Sequence, residues 1–263
     1  MSTTSNPGAG LKAPEFLSPS SISTFNQCPL KFKYSKIDNI KDPSGKEALL
    51  GNFVHDILEE MYKLPPEFRT QQQAKIIAKE QWDTKWAVQV QEIVTDEKNL
   101  KLFRWSAWWC VENLWRLEDP ALINPHSLES FVSGGIGGVK IRGFIDRLTQ
   151  NKFTGAPKIS DYKTGKTPRK MDLEDKFFQL IVYSQLLSSI GIESDESSAE
   201  LLYLKDGVRF EMQITPADVN RVVEKIQETK SGIDERCVSG DFEAKKSVLC
   251  GWCGYKSFCP AWK

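Results

Sequence analysis

The sequence has no excess of charge of either sign, no long hydrophobic run and no internal repeat. Its 35 basic and 35 acidic side chains cancel. No chain-wide basic field therefore indicates nucleic acid, although a local patch can still bind it. No apolar run reaches the roughly 18 residues that a membrane-spanning helix needs, and the start of the chain lacks the basic and apolar regions of a secretory signal. We therefore expect a cytoplasmic protein with no membrane partner.

The composition is that of a globular protein. Of the 263 residues, 40% are hydrophobic and 27% are charged, which suits one large domain or two small ones. Residues 1–14 are small, polar and rich in Gly and Pro, so we predict a disordered tail there and a single domain over residues 15–263. In a reducing compartment, the six cysteines are expected to be thiols or metal ligands rather than disulfides.

The order of predicted elements indicates an α/β fold. Ser18 and Pro19 suit the N-cap and first position of a helix that ends at Cys28-Pro29. Apolar residues three and four positions apart predict helices, and alternation every second residue predicts strands. The predicted helices cover 47–62, most of 70–118 with a break near Asp96, 172–190 and 217–236. The predicted strands cover 128–133, 139–146, 158–162, 199–205 and 208–214. We expect a mixed sheet core flanked by helices, with a helical insertion over about residues 65–120.

The tryptophans of this insertion allow two interpretations. Six of them lie between residues 82 and 115, which are Trp82, Trp86, Trp105, Trp108, Trp109 and Trp115. The favoured interpretation is the core of a helical subdomain. The alternative is that some of the rings form a platform on which bases stack.

Gly134 to Gly138, with four glycines in five residues, predict the turn of a hairpin. A phosphate-binding loop is excluded because no helix with Lys-Ser or Lys-Thr follows.

Two acidic strand ends indicate metal-dependent hydrolysis. Asp161 and Lys163 lie two positions apart, so both side chains lie on one side of a strand, and Asp146 ends another strand. Carboxylates are ligands for Mg²⁺ or Mn²⁺, and an imidazole from His55 would favour Mn²⁺. Lys163 could orient or deprotonate the attacking water, or stabilise developing charge. The chemistry that needs this set is hydrolysis of a phosphodiester bond.

Other charged residues near these strand ends have open roles. Lys166, Arg169 and Lys170 form a basic run after Lys163, which either contacts a DNA backbone or is a solvated loop. Glu129, on a neighbouring strand, either assists the site or lies on the surface.

Four cysteines have the spacing of a metal site. Cys250, Cys253 and Cys259 lie close together near the C-terminus, and Cys28 lies far upstream. Four thiolates can hold Zn²⁺ or an iron–sulfur cluster, and from chemistry alone zinc is the more common of the two.

Several of these segments, taken in order, resemble the PD-(D/E)XK nuclease superfamily and its RecB-type branch. The resemblance rests on five elements, which are Gly51 to His55, Gly143 to Arg147, Asp161 to Gly165, Gln179 and Tyr183. The sequence departs from the superfamily pattern by having no Pro before Asp146. The resemblance implies a restriction-endonuclease-like fold.

The resemblance also implies roles for the site residues. The metal ligands would be His55, Asp146, Asp161 and the backbone carbonyl of Tyr162, and Lys163 would be catalytic. Gln179 and Tyr183 would then lie on the active-site face that contacts DNA.

One cysteine before these motifs and three after them resemble iron–sulfur RecB-type nucleases. That group includes CRISPR-associated, AddB-like and phage exonucleases. The resemblance implies a [4Fe–4S] cluster held by Cys28, Cys250, Cys253 and Cys259, with Zn²⁺ as the alternative, and a structural role for it.

We therefore predict a metal-dependent DNA exonuclease that acts on single strands or DNA ends. Its pathway would be recombination, repair, phage DNA processing or CRISPR spacer acquisition, with proteins of those pathways as possible partners and a homo-oligomer as a possible assembly. The competing hypothesis is a non-catalytic DNA-binding or assembly module with a nuclease-like fold. The intact set of Asp146, Asp161 and Lys163 favours the enzyme.

Overall fold

The computed structural model describes residues 10–42 and 45–262, so most of the tail predicted over residues 1–14 lies outside the described residues. The helices are α1 (Pro19–Gln27), α2 (Pro29–Phe32), α3 (Lys46–Lys63), α4 (Gln71–Gln81), α5 (Ala87–Gln91), α6 (Glu97–Leu117), α7 (Leu173–Ser184) and α8 (Pro216–Ser239). The strands are β1 (Pro125–Ile136), β2 (Val139–Gln150), β3 (Pro157–Lys163), β4 (Ser198–Tyr203) and β5 (Val208–Gln213). In the described part of the chain, no helix combines the length and the apolar character needed to cross a membrane.

Helix α1 begins where its capping residues predict. The Ser18 side chain accepts a hydrogen bond from the Ser21 backbone N–H, and the Ser18 N–H donates to Ser21 Oγ at 2.8 Å. Pro19 occupies the first turn, where its missing N–H has no helical partner to lose. The helix ends at Cys28, directly before Pro29.

Helices α4 to α6 form the predicted helical region, and α3, predicted as a separate helix, packs with them. Leu58 and Met61 of α3 are fully buried, and α3 packs against α4 and α6. The predicted break is confirmed at Asp96, whose side chain caps α6 by accepting a hydrogen bond from the Asn99 N–H at 2.8 Å. A π-helical turn, Trp82–Trp86, joins α4 to α5.

The five strands form one mixed sheet in the order β1-β2-β3-β4-β5. Strand β3 pairs antiparallel with β2 and parallel with β4, and β4 pairs antiparallel with β5. Helix α7 connects the parallel pair and packs against both of its strands, as a crossover between parallel strands requires. Sequence periodicity therefore predicts the elements of this mixed α/β fold in the right order.

Two predicted boundaries differ from the structure. Strand β1 continues through Gly134 and Gly135, and the turn is confined to Gly137 and Gly138, whose φ angles are +56° and +81°. The helix predicted over 172–190 ends at Ser184 and a 3₁₀ turn follows over Leu187–Ile190. At the end of β1 and at the end of α7, local composition predicted a turn or a helix, whereas strand pairing or packing decided the residue at which each element ends.

The described residues divide into two compact units. One contains residues 10–42, 133–142 and 220–262, and the other contains residues 45–132 and 143–219. In the second unit, the buried faces of α3 and α6 share one hydrophobic core with Tyr162 of β3 and Leu202 of β4. The predicted helical insertion therefore packs directly on the sheet.

Candidate active site

Residues from three elements of the second unit converge at the end of β3. His55 comes from α3 and Asp146 from β2, and the backbone of Tyr162 lies between them. His55 Nε2 lies 2.9 Å from the carbonyl oxygen of Tyr162, and His55 Nδ1 lies 3.5 Å from Asp146 Oδ2. The backbone N–H of Tyr162 donates to the same Asp146 oxygen at 3.1 Å. One imidazole, one carboxylate and one carbonyl therefore share a small space.

Glu129 of β1 belongs to the same group. Ligand atoms of His55, Glu129 and Asp146 all lie within 4.8 Å of one another. Glu129 has a φ of +43°, which is a left-handed conformation that side chains other than Gly rarely adopt. This backbone places its carboxylate among the predicted ligands, a position that strand alternation in the sequence could not reveal.

The electrostatics of this group favour a bound cation. Burial raises the pKa of Asp146 to about 6, although His55 opposes the shift, and Asp161 adds to it. Burial also raises the pKa of Glu129 to about 7, with Asp146 as the next cause. Carboxylates that lose hydration beside one another are difficult to ionise together, and a divalent ion removes that penalty.

The residues present fit a hard divalent ion. The set of imidazole, carboxylates and one backbone carbonyl matches the nitrogen and oxygen ligands of Mn²⁺ and Mg²⁺. His55 Nε2 and the Tyr162 carbonyl oxygen lie 2.9 Å apart, at hydrogen-bond distance, so both atoms are close enough to face one ion.

Asp161 and Lys163 form an ion pair beside this group. Lys163 Nζ lies 2.6 Å from Asp161 Oδ2, and the Gln179 side-chain amide donates to Asp161 Oδ1 at 3.2 Å. Burial opposes the charge on Lys163, but the pairing with Asp161 outweighs it and raises the pKa of the lysine. Lys163 is therefore an ammonium ion held at the end of β3. Gln179 of α7 contacts Asp161 directly, as an active-site position for it requires.

Tyr183 of α7 packs against the backbone of β2. A Cβ atom added to Gly143 would lie 2.4 Å from Tyr183 Oη and from the neighbouring ring carbon Cε1. No real side chain tolerates that distance, so the Tyr183 ring at this position requires glycine at 143. Tyr183 is itself buried and supports the strand that carries Asp146.

A buried charge network lies next to Asp146. The Arg147 guanidinium forms ion pairs with Glu118 and with Glu200, the latter at 2.9 Å, and its side chain is 1% exposed. Its Cζ atom lies 5.4 Å from the ring centroid of Tyr162. Burial raises the pKa of Glu200, but Arg147 and other partners outweigh it and lower that pKa to about 2. The network holds the backbone of β2 and β3 at the point where the ligands converge.

Sequence reasoning missed this network. Arg147 belongs to the quoted motif, but no pattern in the sequence pairs it with Glu118 and Glu200, which lie 29 and 53 residues away. The available signal was a charged residue directly after the predicted strand 139–146.

The basic run lies on the connection from β3 to α7. Lys166, Arg169 and Lys170 are exposed, and Arg169 Nε pairs with Asp172 at 2.9 Å. The predicted contact between this run and DNA stays a prediction.

The four predicted cluster ligands belong to the first unit. Cys28, Cys250, Cys253 and Cys259 line one cavity, together with residues that include Lys31. All four are free thiols. Among the described residues, no three of their sulfur atoms lie within 4.8 Å of one another.

The remaining cysteines lie apart from this cavity. Cys110 and Cys237 are buried and free, and neither lines it. Burial raises the pKa of the Cys110 thiol to about 11, so it is a neutral core residue.

Comparison with known proteins agrees with the chemistry of the second unit. A model of the PD-(D/E)XK nuclease superfamily matches residues 16–260. No curated protein sequence matches the chain.

Two solved structures are similar to the chain at low identity. The protein SSO0001 is 15% identical with a TM-score of 0.42, and the match covers 96% of this chain and 89% of that one. A protein of Eubacterium rectale, named provisionally as an exonuclease, is 14% identical with a TM-score of 0.48, over 91% of this chain and 87% of that one. Likeness at this level supports no argument about activity.

Proposed function

Because the chain belongs to the PD-(D/E)XK nuclease superfamily, we propose that it is a metal-dependent deoxyribonuclease. The observation that carries the proposal is the convergence of His55, Asp146 and the Tyr162 carbonyl beside the Asp161–Lys163 pair. A nuclease needs a site for a cation and a group that neutralises charge on the scissile phosphate. Both lie at the end of β3.

In this proposal, Mn²⁺ or Mg²⁺ would be held by His55, Asp146, Asp161 and the Tyr162 carbonyl, with Glu129 as a further acidic ligand. The bound ion would polarise the phosphate and lower the pKa of the attacking water. The imidazole among the ligands favours Mn²⁺ over Mg²⁺. Glu129 joins the set because its carboxylate lies within the same 4.8 Å group as His55 and Asp146.

Lys163 acts as a cation in this proposal. Its pairing with Asp161 keeps the ammonium protonated, so it is suited to stabilise negative charge on the phosphate and to orient water rather than to remove a proton. Gln179 holds the other oxygen of Asp161 and so orients the carboxylate. Because the ammonium is already held in place, it does not have to move when negative charge develops on the phosphate in the transition state.

We propose DNA ends or single strands as the substrate, with exonucleolytic cleavage. The support is the resemblance of the five motif elements to the RecB-type branch. That resemblance also supports roles for Lys166, Arg169 and Lys170 on the DNA-contacting side. Tyr183 is buried against β2, so in this proposal it supports the active-site face and does not itself contact DNA. The proposed pathways are recombination, repair, phage DNA processing and CRISPR spacer acquisition.

We propose a [4Fe–4S] cluster for the cysteine cavity, with Zn²⁺ as the alternative. Around a single zinc ion with bonds of about 2.3 Å, thiolate sulfurs lie about 3.8 Å apart. A cubane cluster distributes its thiolates over four iron atoms and needs wider spacing. The four sulfurs line one cavity, and the resemblance of one upstream and three downstream cysteines to iron–sulfur RecB-type nucleases supports the cluster. The cluster would cross-link the two ends of the chain within the first unit.

The test of the nuclease is degradation of end-labelled single- and double-stranded DNA with Mn²⁺ or Mg²⁺. Wild-type protein should degrade DNA only with metal, and the labelled end should give the polarity. Asp161→Ala should be inactive, and Asp195→Ala, which changes an exposed aspartate of the loop before β4, is the control. Absence of cleavage by folded, metal-loaded wild type would support the non-catalytic DNA-binding module instead.

A further inference from the structure

A groove on the helical region of the second unit has an unusual lining. It lies between α4 and α6 and has a volume of about 340 Å³. Its aromatic residues are Trp82, Trp105, Trp108 and Phe53. The volume lies within the range of small-molecule sites in proteins, and the groove is separate from the residues that converge at β3.

The charged residues that line the groove are all basic. They are Lys75, Lys79, Lys101 and Arg104, and Lys101 pairs at 2.7 Å with Glu97, one turn earlier on α6. All four side chains are exposed. Across the whole chain the basic and acidic residues balance at 35 each, so this is a local patch that the net charge conceals. A groove of this kind attracts an anion.

Helical spacing brings the cations and rings together. On α6, Lys101, Arg104, Trp105 and Trp108 occupy positions i, i+3, i+4 and i+7, which form one face of a helix. The opposite face of α6 is buried and includes Phe103. The groove face is therefore a second, basic and aromatic face of a helix whose core packing is already complete.

The rings are presented in a way that suits stacking. Trp105 is 59% exposed and lies parallel to Trp109, with ring centroids 5.7 Å apart and an interplanar angle of 16°. Lys75 Nζ lies 5.0 Å from the centroid of Trp108. An exposed tryptophan of this size contributes little to the core and offers a flat apolar surface beside cations.

The groove and the proposed metal site lie on different sides of α3. Phe53 and Ile57 of α3 line the groove, and His55 lies two residues from each. Two residues rotate a helix by about 200°, so the His55 side chain lies on the other side of α3. A ligand in the groove therefore does not occupy the hydrolytic site.

We propose that this groove binds a segment of single-stranded DNA away from the point of cleavage. The inference rests on the proposed function and names a second contact with its substrate. Lysine and arginine would neutralise the phosphates, and an unpaired base would stack on Trp105. An acidic peptide would use the charges but has no planar bases for the tryptophans. A duplex keeps its bases stacked on one another and offers none to Trp105.

The experiment measures binding of a fluorescent oligothymidylate of about 20 nucleotides to full-length protein in EDTA, where no cleavage occurs. Trp105→Ala should weaken binding about tenfold, because stacking of one base is lost. Trp105→Phe should retain most of the affinity, and both variants should melt at the wild-type temperature. Leu102→Ala is the control, because Leu102 is an exposed residue of α6 that lies outside the groove.

The charge contribution is read from salt dependence. Lys75→Ala with Lys79→Ala should reduce the slope of log affinity against log salt by about 1.4, since each neutralised phosphate of a single strand contributes about 0.7. Lys98→Ala is the control, because Lys98 is exposed on α6 but does not line the groove. Equal slopes for the double variant and this control would overturn the proposal, as would unchanged affinity of Trp105→Ala.

Two further arms separate the sources of failure. Asp161→Ala should bind the oligonucleotide with the same dependence on Trp105, so the groove can be established even if cleavage is never found. Binding of a duplex of the same length with equal affinity and equal dependence on Trp105 would overturn the single-strand assignment. Displacement of the oligonucleotide by polyglutamate at equal charge concentration would overturn the nucleic-acid assignment.

Discussion

The nuclease site and the cysteine cavity differ in how their residues are held. The site is built on α3, β2 and β3, and its side chains already contact one another through hydrogen bonds and ion pairs at 2.6–3.5 Å. Cys28 directly follows α1. Cys250 lies in the short 3₁₀ turn Val248–Trp252, Cys253 follows that turn, and Cys259 follows the 3₁₀ turn Lys256–Phe258. Helices and strands position the first set, whereas a helix end and short turns carry the second.

The comparison predicts that changes at the nuclease site alter activity and leave the fold intact. Replacing Lys163 by Ala should lower the rate of DNA cleavage by about a hundredfold or more, since it removes a fixed cation from the scissile phosphate. The melting temperature and oligonucleotide affinity should stay close to wild type. Lys152→Ala, which changes an exposed lysine of the loop between β2 and β3, is the control, and normal cleavage by Lys163→Ala would remove Lys163 from the mechanism.

Changes at the cysteine cavity should have the opposite effect, on folding first. Cys253→Ser should lose the brown colour and most of the iron, because one of four ligands is gone. The first unit should then become sensitive to protease. Cys237→Ser changes a buried thiol of the same unit outside the cavity and should keep its iron. Full iron content in Cys253→Ser would show that the ligand set is wrong, and zinc in colourless wild type would select the alternative metal.

The buried network beside Asp146 should link stability to the nuclease site. Replacing Arg147 by Met should lower the free energy of unfolding by about 3–5 kcal/mol, because the buried carboxylates of Glu118 and Glu200 would lose their one fully buried cationic partner and keep only partly exposed ones. Arg209→Met, which changes a partly exposed arginine that contacts the same carboxylates, should cost less. Urea denaturation measures both free energies of unfolding. Equal decreases for Arg147→Met and Arg209→Met would mean that the burial of Arg147 does not add to its contribution.

The smallest expected effect distinguishes two glycines of the quoted motifs. Gly143→Ala should destabilise the protein by about 1–3 kcal/mol, because the new methyl group meets the Tyr183 ring. At Gly51 an added Cβ would lie 3.4 Å from Thr164 Oγ1, an ordinary contact, and the position is helical. Gly51→Ala should therefore be neutral or stabilise by up to about 1 kcal/mol. Thermal melting of both variants measures the difference, and a stable Gly143→Ala variant would contradict the packing assigned to Tyr183.

Periodicity and capping residues predicted most elements to within a few residues. Helix α3 runs from Lys46 to Lys63 against a prediction of 47–62, and strand β3 runs from Pro157 to Lys163 against 158–162. Both have strong local signals, in apolar spacing or in a run ended by a turn. The predicted glycine turn begins earlier than the observed one, because Gly134 and Gly135 belong to strand β1. Strand pairing depends on the neighbouring strand and not on local sequence.

The candidate site was predictable in part for the same reason. Asp161 and Lys163 are neighbours in sequence, and a strand places them together whatever else the chain does. His55 lies 107 residues from the Tyr162 carbonyl that it contacts, and its assignment needed a resemblance rather than a pattern. Glu129 enters the group through a backbone conformation that no propensity indicates.

By itself, the sequence determined which segments are helix and strand, the pairing of Asp161 with Lys163, and the presence of four cysteines that could share one site. These depend on local spacing and on side-chain chemistry. The tertiary structure decided that Glu129 joins His55 and Asp146, that Arg147 pairs with two distant glutamates, and that the tryptophans and lysines of α4 and α6 line a common groove. Those arrangements depend on packing between segments far apart in the chain, which local propensities do not specify.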